Sequence, residues 1–310
     1  MKTVGIVIPI MNESGNVSRL VERIRAVFRQ ESMKDYECSI LFVDDGSTDD
    51  TLSVVRAEAA AGKDVTYISL SRNFGHQNAL KAGLDHAEGD CVISMDGDLQ
   101  HPPELIPELV KAWEQGAQIV NTLRDDKNTS LFKKSTSLLF YRLINHLGGV
   151  HIEKGSADFR LMDRTVAEVL RNFTETPLFF RGLIPWLGFK TKNLHYSPDT
   201  RTWGTTKYTF KKMASFAIEG ITSFSIKPLR LSIYLGALVS LFSFFYAAWA
   251  IYIRLFTAKA IEGWTSLIVI FSLMSGLQLI LLGIFGEYLG KIFLAVKSRP
   301  HYIVREHNLD

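Results

Sequence analysis

Two long stretches without any charged side chain lie in the last third of this 310-residue chain. Residues 233–253 and 264–286 contain no Asp, Glu, Lys or Arg and are rich in Leu, Ile, Phe, Ala and Gly. About 20 apolar residues in a helix are enough to cross the hydrocarbon core of a bilayer, whereas helices of soluble proteins rarely lack a polar face over such a length. We therefore predict two membrane-spanning helices, at about 231–254 and 264–286, in preference to two buried helices of a soluble core.

Basic residues flank the predicted spans, and they indicate an orientation. Those before the first span and after the second are Arg201, Lys207, Lys211, Lys212, Lys227, Arg230, Lys291, Lys297, Arg299 and Arg305. Because such residues concentrate on the cytoplasmic side, we predict that both termini and the N-terminal domain are cytoplasmic. The first ten residues are no signal peptide, since the apolar run is short and Asn12 and Glu13 follow it without a cleavage site.

The composition excludes several other classes of protein. With 47% hydrophobic and 22% charged residues, the chain is too apolar to be disordered. Lys and Arg number 35 against 32 Asp and Glu, a balance that gives no reason to expect nucleic acid as a partner. The two cysteines, Cys38 and Cys91, lie in apolar runs and are predicted to be core thiols, which leaves no disulfide framework or cysteine metal site.

The first 125 residues alternate between strand-like and helix-like segments. Apolar runs typical of strands occupy residues 4–10, 39–43, 65–70, 91–95 and 118–122, and helical patterns occupy residues 17–28, 49–61, 77–87 and 103–115. This alternation predicts an α/β fold with a mostly parallel sheet and helices on both faces. Ligands of such sheets bind beyond the carboxyl ends of the strands.

Polar residues follow each of the five predicted strands. They are Asn12 and Glu13, Asp44 and Asp45, Arg72 and Asn73, Asp96 and Asp98, and Arg124. Each pair has a local explanation as well: Asp44 and Asp45, for example, could simply form a turn before Gly46. Their convergence on one edge of the sheet nevertheless favours a ligand site.

The chemistry of this edge indicates a divalent cation. The chain has neither a G-x-G-x-x-G after the first strand nor a P-loop, so phosphates must be held in another way. Asp96, Asp98 and Gln100 supply oxygen ligands, which suit Mg²⁺ or Mn²⁺ bridging a pyrophosphate, whereas zinc would favour His or Cys. His101 is expected to pack against Pro102 and not to bind the metal.

Several sequence blocks together resemble one known family. LFVDDGSTDDT, MDGDLQHPPELIPEL, GSADFRLMDR and RTWGTTKY, followed by two spans with GEYLGKIF, are similar to the family 2 glycosyltransferases that charge polyprenyl phosphates. The similarity points to the bacterial bactoprenol (undecaprenyl-phosphate) glucosyltransferase branch, which is related to dolichyl-phosphate mannose synthase. It implies a GT-A catalytic domain over residues 1–200, a basic amphipathic segment at the membrane interface over 201–230, and the two spans with a cytoplasmic tail over 231–310.

The resemblance also implies an activity. It is the metal-dependent, inverting transfer of one hexose from a UDP-sugar, UDP-glucose above all, to undecaprenyl phosphate in the bacterial inner membrane. The product would serve as a sugar donor for modifying surface glycans. The lipid bilayer and a homo-oligomer are the further partners that the resemblance implies.

The family's functional residues carry over by position. The nucleotide-sugar site would comprise Pro9, Asn12, Glu13, Asp44, Asp45 and Asp96, and the metal site Asp96, Asp98 and Gln100. Asp158 and Asp98 would be catalytic, with Asp158 in the place of the general base. Arg124, Arg201 and Lys207 would bind the diphosphate or the lipid phosphate.

The role of Asp158 has an alternative. A phosphate monoester has its second pKa at about 6, so the acceptor carries little proton to remove at neutral pH. We therefore hypothesise that Asp158 orients Arg160 or a sugar hydroxyl.

Other functions stay open at this point. The donor could be UDP-GlcNAc, GDP-mannose or a UDP-aminoarabinose derivative. A nucleotide-sugar-binding membrane scaffold without turnover is disfavoured by the intact Asp96, Asp98 and Asp158. A processive polysaccharide synthase would be expected to carry more spans and a Q-x-x-R-W block, and neither is in the sequence.

Overall fold

The computed structural model describes residues 1–124, 145, 148–149, 153, 155–175, 178–197, 220–256 and 263–309. The strands in these ranges are β1 Lys2–Ile10, β2 Tyr36–Asp44, β3 Val65–Leu70, β4 Cys91–Ser94, β5 Ile119–Arg124, β6 Ser156–Asp163, β7 Thr191–Tyr196 and β8 Val304–His307. The α-helices are α1 Val17–Phe28, α2 Thr51–Ala61, α3 His76–His86, α4 Ile106–Glu114, α5 Arg164–Arg171, α6 Phe180–Trp186, α7 Lys227–Phe256 and α8 Trp264–Val296. Short 3₁₀ turns occupy Glu31–Met33 and Pro103–Leu105.

The strands form one eight-stranded sheet in the order β7-β5-β6-β4-β1-β2-β3-β8. The pairs β1–β2, β1–β4, β2–β3 and β5–β7 are parallel, whereas β4–β6, β5–β6 and β3–β8 are antiparallel. The prediction of a mostly parallel α/β sheet is confirmed. All five predicted strands and all four predicted helices are present within a few residues of their expected bounds. The strands β6, β7 and β8 were not predicted.

Strand β1 shows why helices cover both faces of the sheet. Its residues from Val4 onward are almost all buried, as expected of a central parallel strand. Ile6 and Ile8 pack in one cluster with α1 and α4, while Val7 packs in another cluster with α3, α5 and α6. Because side chains alternate along a strand, one run of apolar residues supplies both layers of the core. Because β1, β2 and β4 are parallel, their carboxyl ends meet at the same edge of the sheet.

The helices α7 and α8 are long, apolar and exposed. Within them, Lys227–Ile253 and Val269–Val296 have mean hydropathies of 1.8 and 2.1, and neither is buried. By length and composition both could cross a membrane. Helix α8 continues ten residues beyond the predicted end of its span at 286, and there it contacts the segment before α7: Tyr288 Oη donates to the carbonyl of Ser225 (2.6 Å) and Lys291 Nζ donates to Ser223 Oγ (3.0 Å).

Both cysteines are free thiols that lie within strands of the sheet. Cys91 is buried in β4 and Cys38 is partly buried in β2. Burial raises the pKa of the Cys38 thiol to about 12 and raises that of Cys91 as well.

Candidate functional site

A cavity of about 420 Å³ opens at the carboxyl ends of β1, β2 and β4. Its walls come from the loops that follow these strands, from the start of α3, and from β6 and α6. The lining residues are Pro9, Ile10, Met11, Glu13, Asp45, Asn73, Gly75, His76, Ala79, Asp96, Gly97, Asp98, Asp158 and Arg181. The edge of the sheet at which the sequence predicted a ligand site therefore carries an open cavity.

Asp45 fixes the wall that the β3–α3 loop forms. Its carboxylate accepts hydrogen bonds from the backbone N–H groups of Phe74 (2.7 Å) and Gly75 (3.0 Å). Burial raises the pKa of Asp45 despite these two bonds. Gly75 has φ +94°, a conformation that favours glycine, and it leads directly into His76 at the start of α3.

Asn12 and Asp44 are not among the residues that line the cavity. Asn12 N donates to Ser47 Oγ (2.9 Å), and Asn12 Oδ1 accepts from Thr48 N (2.9 Å). The side chain of Asp44 is fully buried and accepts from Ser47 N through Oδ1 (3.0 Å) and from Ser69 Oγ through Oδ2 (2.9 Å). These contacts tie the loops after β1 and β2 together.

His101 holds the loop after β4, which carries Asp96 and Asp98, in position. The ring of His101 stacks on Phe159 (centroids 5.2 Å apart), and its Nδ1 accepts from Asp96 N (2.9 Å). Gly97 lies so close to β1 that a Cβ there would be 2.5 Å from Ile10 Cγ2. This close approach brings Asp96 and Asp98 to the cavity while His101 stays buried.

Asp96 and Asp98 fit a divalent cation. Asp96 Oδ1 is buried and accepts no hydrogen bond from the described residues, and His76 Nε2 lies 3.5 Å from it. A divalent cation would satisfy this carboxylate oxygen more fully than the distant imidazole does. Asp98 Oδ1 accepts from Gln100 N (3.1 Å). Within the described ranges no group of three His, Cys, Asp or Glu side chains could hold a metal ion, so an ion bound by Asp96 and Asp98 would need water or phosphate oxygens to complete its shell.

The third predicted metal ligand, Gln100, has its side chain directed elsewhere. Its Oε1 accepts from Arg124 Nη1 (3.4 Å), and neither residue lines the cavity. The structure thus brings together Pro9, Glu13, Asp45, Asp96, Asp98 and Asp158 of the predicted site. Asn12, Asp44, Gln100 and Arg124 support or flank it, and Arg201 and Lys207 lie outside the described residues.

Asp158 is the centre of a charged cluster in the cavity floor. Its Oδ1 lies 3.2 Å from Arg160 Nη2, its Oδ2 lies 3.0 Å from Arg181 Nη2, and His76 Nε2 is 3.6 Å from Oδ2. Burial alone would raise the pKa of Asp158, but Arg181, His76 and Arg160 outweigh it and hold this pKa well below its usual range. Asp158 thus contacts Arg160, one of the two partners that the sequence analysis considered for it.

His76 and Arg181 are site residues that the sequence did not reveal. His76 also lies 3.5 Å from Asp96 Oδ1, so it faces both carboxylates. Burial tends to lower the pKa of His76, but its contacts with Asp158 and Asp96 raise it to about 9. His76 follows the polar residues after β3 and could have been found by extending that motif by three residues. Arg181 follows no strand and had no such signal.

The charges of the lining favour a bound cation. The acidic side chains are Glu13, Asp45, Asp96, Asp98 and Asp158, whereas the basic ones in the described lining are His76 and Arg181. A phosphorylated ligand would be repelled by this excess of carboxylates unless a divalent ion accompanied it.

Comparison with known proteins points to one family. The family model described as glycosyl transferase family 2 matches residues 5–171. YkcC of Bacillus subtilis, an uncharacterised glycosyltransferase, is 42% identical over 97% of this chain and 93% of its own. The bactoprenol glucosyl transferase of Shigella phage SfII is 40% identical over 98% and 97%. A mannosyltransferase from Pyrobaculum calidifontis, solved with GDP-mannose and Mn²⁺, shares the fold with a TM-score of 0.50 at 18% identity, over 74% of this chain and 64% of its own.

Proposed function

This chain belongs to glycosyl transferase family 2 and is a glycosyltransferase, and we propose that it transfers one hexose from UDP-glucose to undecaprenyl phosphate with inversion at the anomeric carbon. The observation that carries this proposal is the cavity that Asp96 and Asp98 line together with the Asp158–Arg181 pair. Relatives with the name bactoprenol glucosyl transferase match the chain over nearly its full length, both apolar helices included, which supports the lipid acceptor.

We assign the donor to the side of the cavity formed by β1, β2 and β4. Asp96 and Asp98 would hold Mg²⁺ or Mn²⁺, and Gln100 would orient Arg124 beside them. When bound, the ion neutralises the negative charge that develops on the departing diphosphate. Pro9, Glu13 and Asp45 line the cavity where the nucleotide is proposed to bind. Asn12 and Asp44 hold the loops after β1 and β2 in position through hydrogen bonds to Thr48 and Ser47.

We assign the acceptor phosphate to the side formed by α6. Arg181 lies at the start of this helix, and its neighbour Gly182 is packed against Phe224, three residues before α7. A phosphate arriving from the bilayer would meet this guanidinium, whose planar fork matches phosphate oxygens. Arg201 and Lys207 are proposed to join it.

Asp158 is proposed to orient and not to take a proton. Its pKa is held well below the usual range, which makes it a poor base, and the acceptor phosphate is already largely ionised at neutral pH. Bound by Arg160 and Arg181 together, the Asp158 carboxylate keeps the Arg181 fork in a fixed position at the cavity. A single displacement by the phosphate oxygen then gives a β-linked product from an α-linked donor.

The proposed location is the bacterial inner membrane with the catalytic domain in the cytoplasm. The division into a catalytic domain at 1–200, an interfacial segment at 201–230 and a membrane part at 231–310 is retained, with the addition that residues 304–307 of the tail pair with the catalytic sheet. The greater part of the interfacial segment lies outside the described residues.

The test is a panel of labelled donors. Membranes that contain the protein are incubated with undecaprenyl phosphate and radiolabelled UDP-glucose, UDP-GlcNAc, GDP-mannose or a UDP-aminoarabinose derivative. We expect label in the lipid from UDP-glucose alone, released by mild acid as the free sugar of a monophosphate-linked lipid, and no product with EDTA. Transfer from another donor would overturn the choice of sugar, and a diphosphate-linked lipid would overturn the reaction.

A further inference from the structure

The chain returns to the catalytic sheet after its second apolar helix. Beyond Val296, where α8 ends, residues 301–309 run along the sheet and add β8 antiparallel to β3. Tyr302 Oη donates to Asp85 Oδ2 of α3 (3.0 Å), and Ser71 N donates to the carbonyl of Ile303 (2.9 Å). The tail therefore lies against the elements that carry Asn73, Gly75 and His76 to the cavity.

A β-bulge in β8 leaves Arg305 outside the regular pairing with β3. Ser69 is paired with Glu306 and Leu70 with Val304, so Arg305 is the extra residue between the two pairs. Bulges reorient a side chain relative to a regular strand. At this bulge Arg305 Nη2 donates to Ser69 Oγ (2.9 Å), and Ser69 Oγ donates to Asp44 Oδ2 (2.9 Å).

Asp44 connects Ser69 by hydrogen bonds to the loops on the donor side of the cavity. Its other oxygen holds Ser47 N, and Ser47 Oγ accepts from Asn12 N, at the start of the loop whose Met11 and Glu13 line the cavity. The buried Asp44 carboxylate is stable only while hydrogen-bond donors satisfy its oxygens. The Arg305 guanidinium polarises the Ser69 hydroxyl and so strengthens the hydrogen bond from Ser69 to Asp44.

We propose that Arg305 is a positioning residue of the donor site, which acts through Ser69 and Asp44 to fix the nucleotide-binding loops after β1 and β2. The inference rests on the proposed function for the identity of the donor and adds a part of the chain, the tail after the second span, to that site. Among the described residues, the hydrogen-bond partner of Arg305 is Ser69 and not a proposed metal ligand or a member of the Asp158 cluster, so its influence is expected on donor binding and not on the displacement itself.

The experiment measures steady-state kinetics of the full-length protein in detergent with UDP-glucose and undecaprenyl phosphate. Arg305→Gln is expected to raise the KM for UDP-glucose about tenfold, the size of a lost bond to a charged group, with kcat and the KM for the lipid within about twofold. Ser69→Ala should have an effect of the same kind. The KM for UDP-glucose of the double variant should be no higher than that of the more impaired single variant, because both substitutions break the same chain of hydrogen bonds. Arg305→Lys should restore part of the affinity.

Glu306→Gln is the matched control. Glu306 is the next residue of the same strand and forms a surface ion pair with Arg56, so its loss removes a tail contact without touching Ser69. We expect its KM for UDP-glucose to stay at the wild-type value. An Arg305→Gln effect equal to that of Glu306→Gln, an effect confined to kcat, or additive effects of Ser69→Ala and Arg305→Gln would overturn the proposal.

Calorimetric binding of UDP with Mn²⁺ separates this proposal from the proposed function. If the wild-type protein binds no UDP, the proposed donor is wrong. If wild type binds UDP and transfers glucose while Arg305→Gln binds UDP equally well, the role of Arg305 alone is wrong. Equal thermal unfolding temperatures of the variants exclude global unfolding as the cause of weaker binding.

Discussion

Asp98 gives the most direct test of the site at the level of single residues. Asp98→Asn keeps the size of the side chain but removes a charge near Asp96 Oδ1, the buried oxygen that accepts no hydrogen bond from the described residues. Since a metal ion supplies several kcal/mol of charge stabilisation, we expect kcat to fall at least about a hundredfold. The measurement is glucose transfer with Mg²⁺ or Mn²⁺ titrated into EDTA-treated enzyme.

Asp50→Asn is the control for this substitution. Asp50 is exposed at the start of α2 and has no side-chain capping bond, so its neutralisation should leave kcat unchanged. Full turnover of Asp98→Asn in the presence of EDTA would contradict a metal at this position.

Asp158 gives a pH test. Its folded pKa lies well below the usual value, so its charge does not change in the range where the enzyme works. Asp158→Asn is therefore expected to lower kcat without moving the acidic limb of the pH–rate profile, because the orientation of Arg181 is lost and no titrating base is removed. An acidic limb that shifts in the variant would restore Asp158 as the general base.

The lowered pKa of Asp158 also determines how its contribution to stability changes with pH. Because the pKa of Asp158 is lowered on folding, its contribution to the free energy of unfolding is present above the unfolded value of about 3.9 and is lost as the pH falls through the folded value. At neutral pH, Asp158→Asn should also lower the unfolding temperature, since Arg160 would remain buried beside a neutral amide. Thermal scans at neutral and acidic pH measure this difference, which should shrink toward low pH.

The acidic residues of the site were predicted from the sequence, whereas the basic residues His76 and Arg181 were not. Asp45, Asp96 and Asp98 follow predicted strands, so their meeting at one edge is a consequence of the parallel order. His76 and Arg181 obtain their roles from Asp158, which is distant from His76 along the chain and lies on an antiparallel strand that the sequence pattern did not show.

At the level of elements, α6 joins the site to the apolar helices. Gly182 allows Phe224 to pack against it: a Cβ at this position would lie 2.6 Å from Phe224 Cε2 and 2.7 Å from Phe179 Cδ1. Gly182→Ala should displace this contact and the adjacent Arg181. We expect a several-fold higher KM for undecaprenyl phosphate, an unchanged KM for UDP-glucose, and a loss of about 1–3 kcal/mol in stability from overpacking.

Gly236→Ala in α7 is the matched control, because no atom of the described residues lies within 4 Å of a Cβ there. Kinetics with the lipid acceptor in detergent distinguish the two variants. Equal KM values for the lipid in both would mean that α6 is not part of the acceptor site.

The sequence pattern revealed the central strands and not the later ones, for physical reasons. The strands β1 to β5 were predicted because the protein buries them as continuous apolar runs. Strand β6 interrupts its apolar pattern with Asp158 and Arg160, whose charges are compensated only by tertiary partners. Strand β7 is a largely exposed edge, and β8 reads Val-Arg-Glu-His, so neither carries the apolar signal of a strand.

At the scale of the whole molecule, orientation in the membrane can be tested with thiol labelling. The native thiols should react poorly, because burial raises the pKa of Cys38 to about 12 and that of Cys91 as well. Phe256→Cys, at the exposed end of α7, should react with an impermeant maleimide in intact spheroplasts. Glu108→Cys, exposed on α4, should react only after permeabilisation. The reverse pattern would place the catalytic domain outside the cytoplasm.

The sheet that ends with β8 has a consequence for how the protein is made. A ribosome releases residues 1–197 long before residues 304–307, and both apolar helices lie between them. During that interval β3 is an open edge strand, the kind of surface that invites mispairing with other chains. The enzyme can therefore complete its sheet only after both apolar helices have been synthesised, which makes the pairing of β8 with β3 a late step of its assembly.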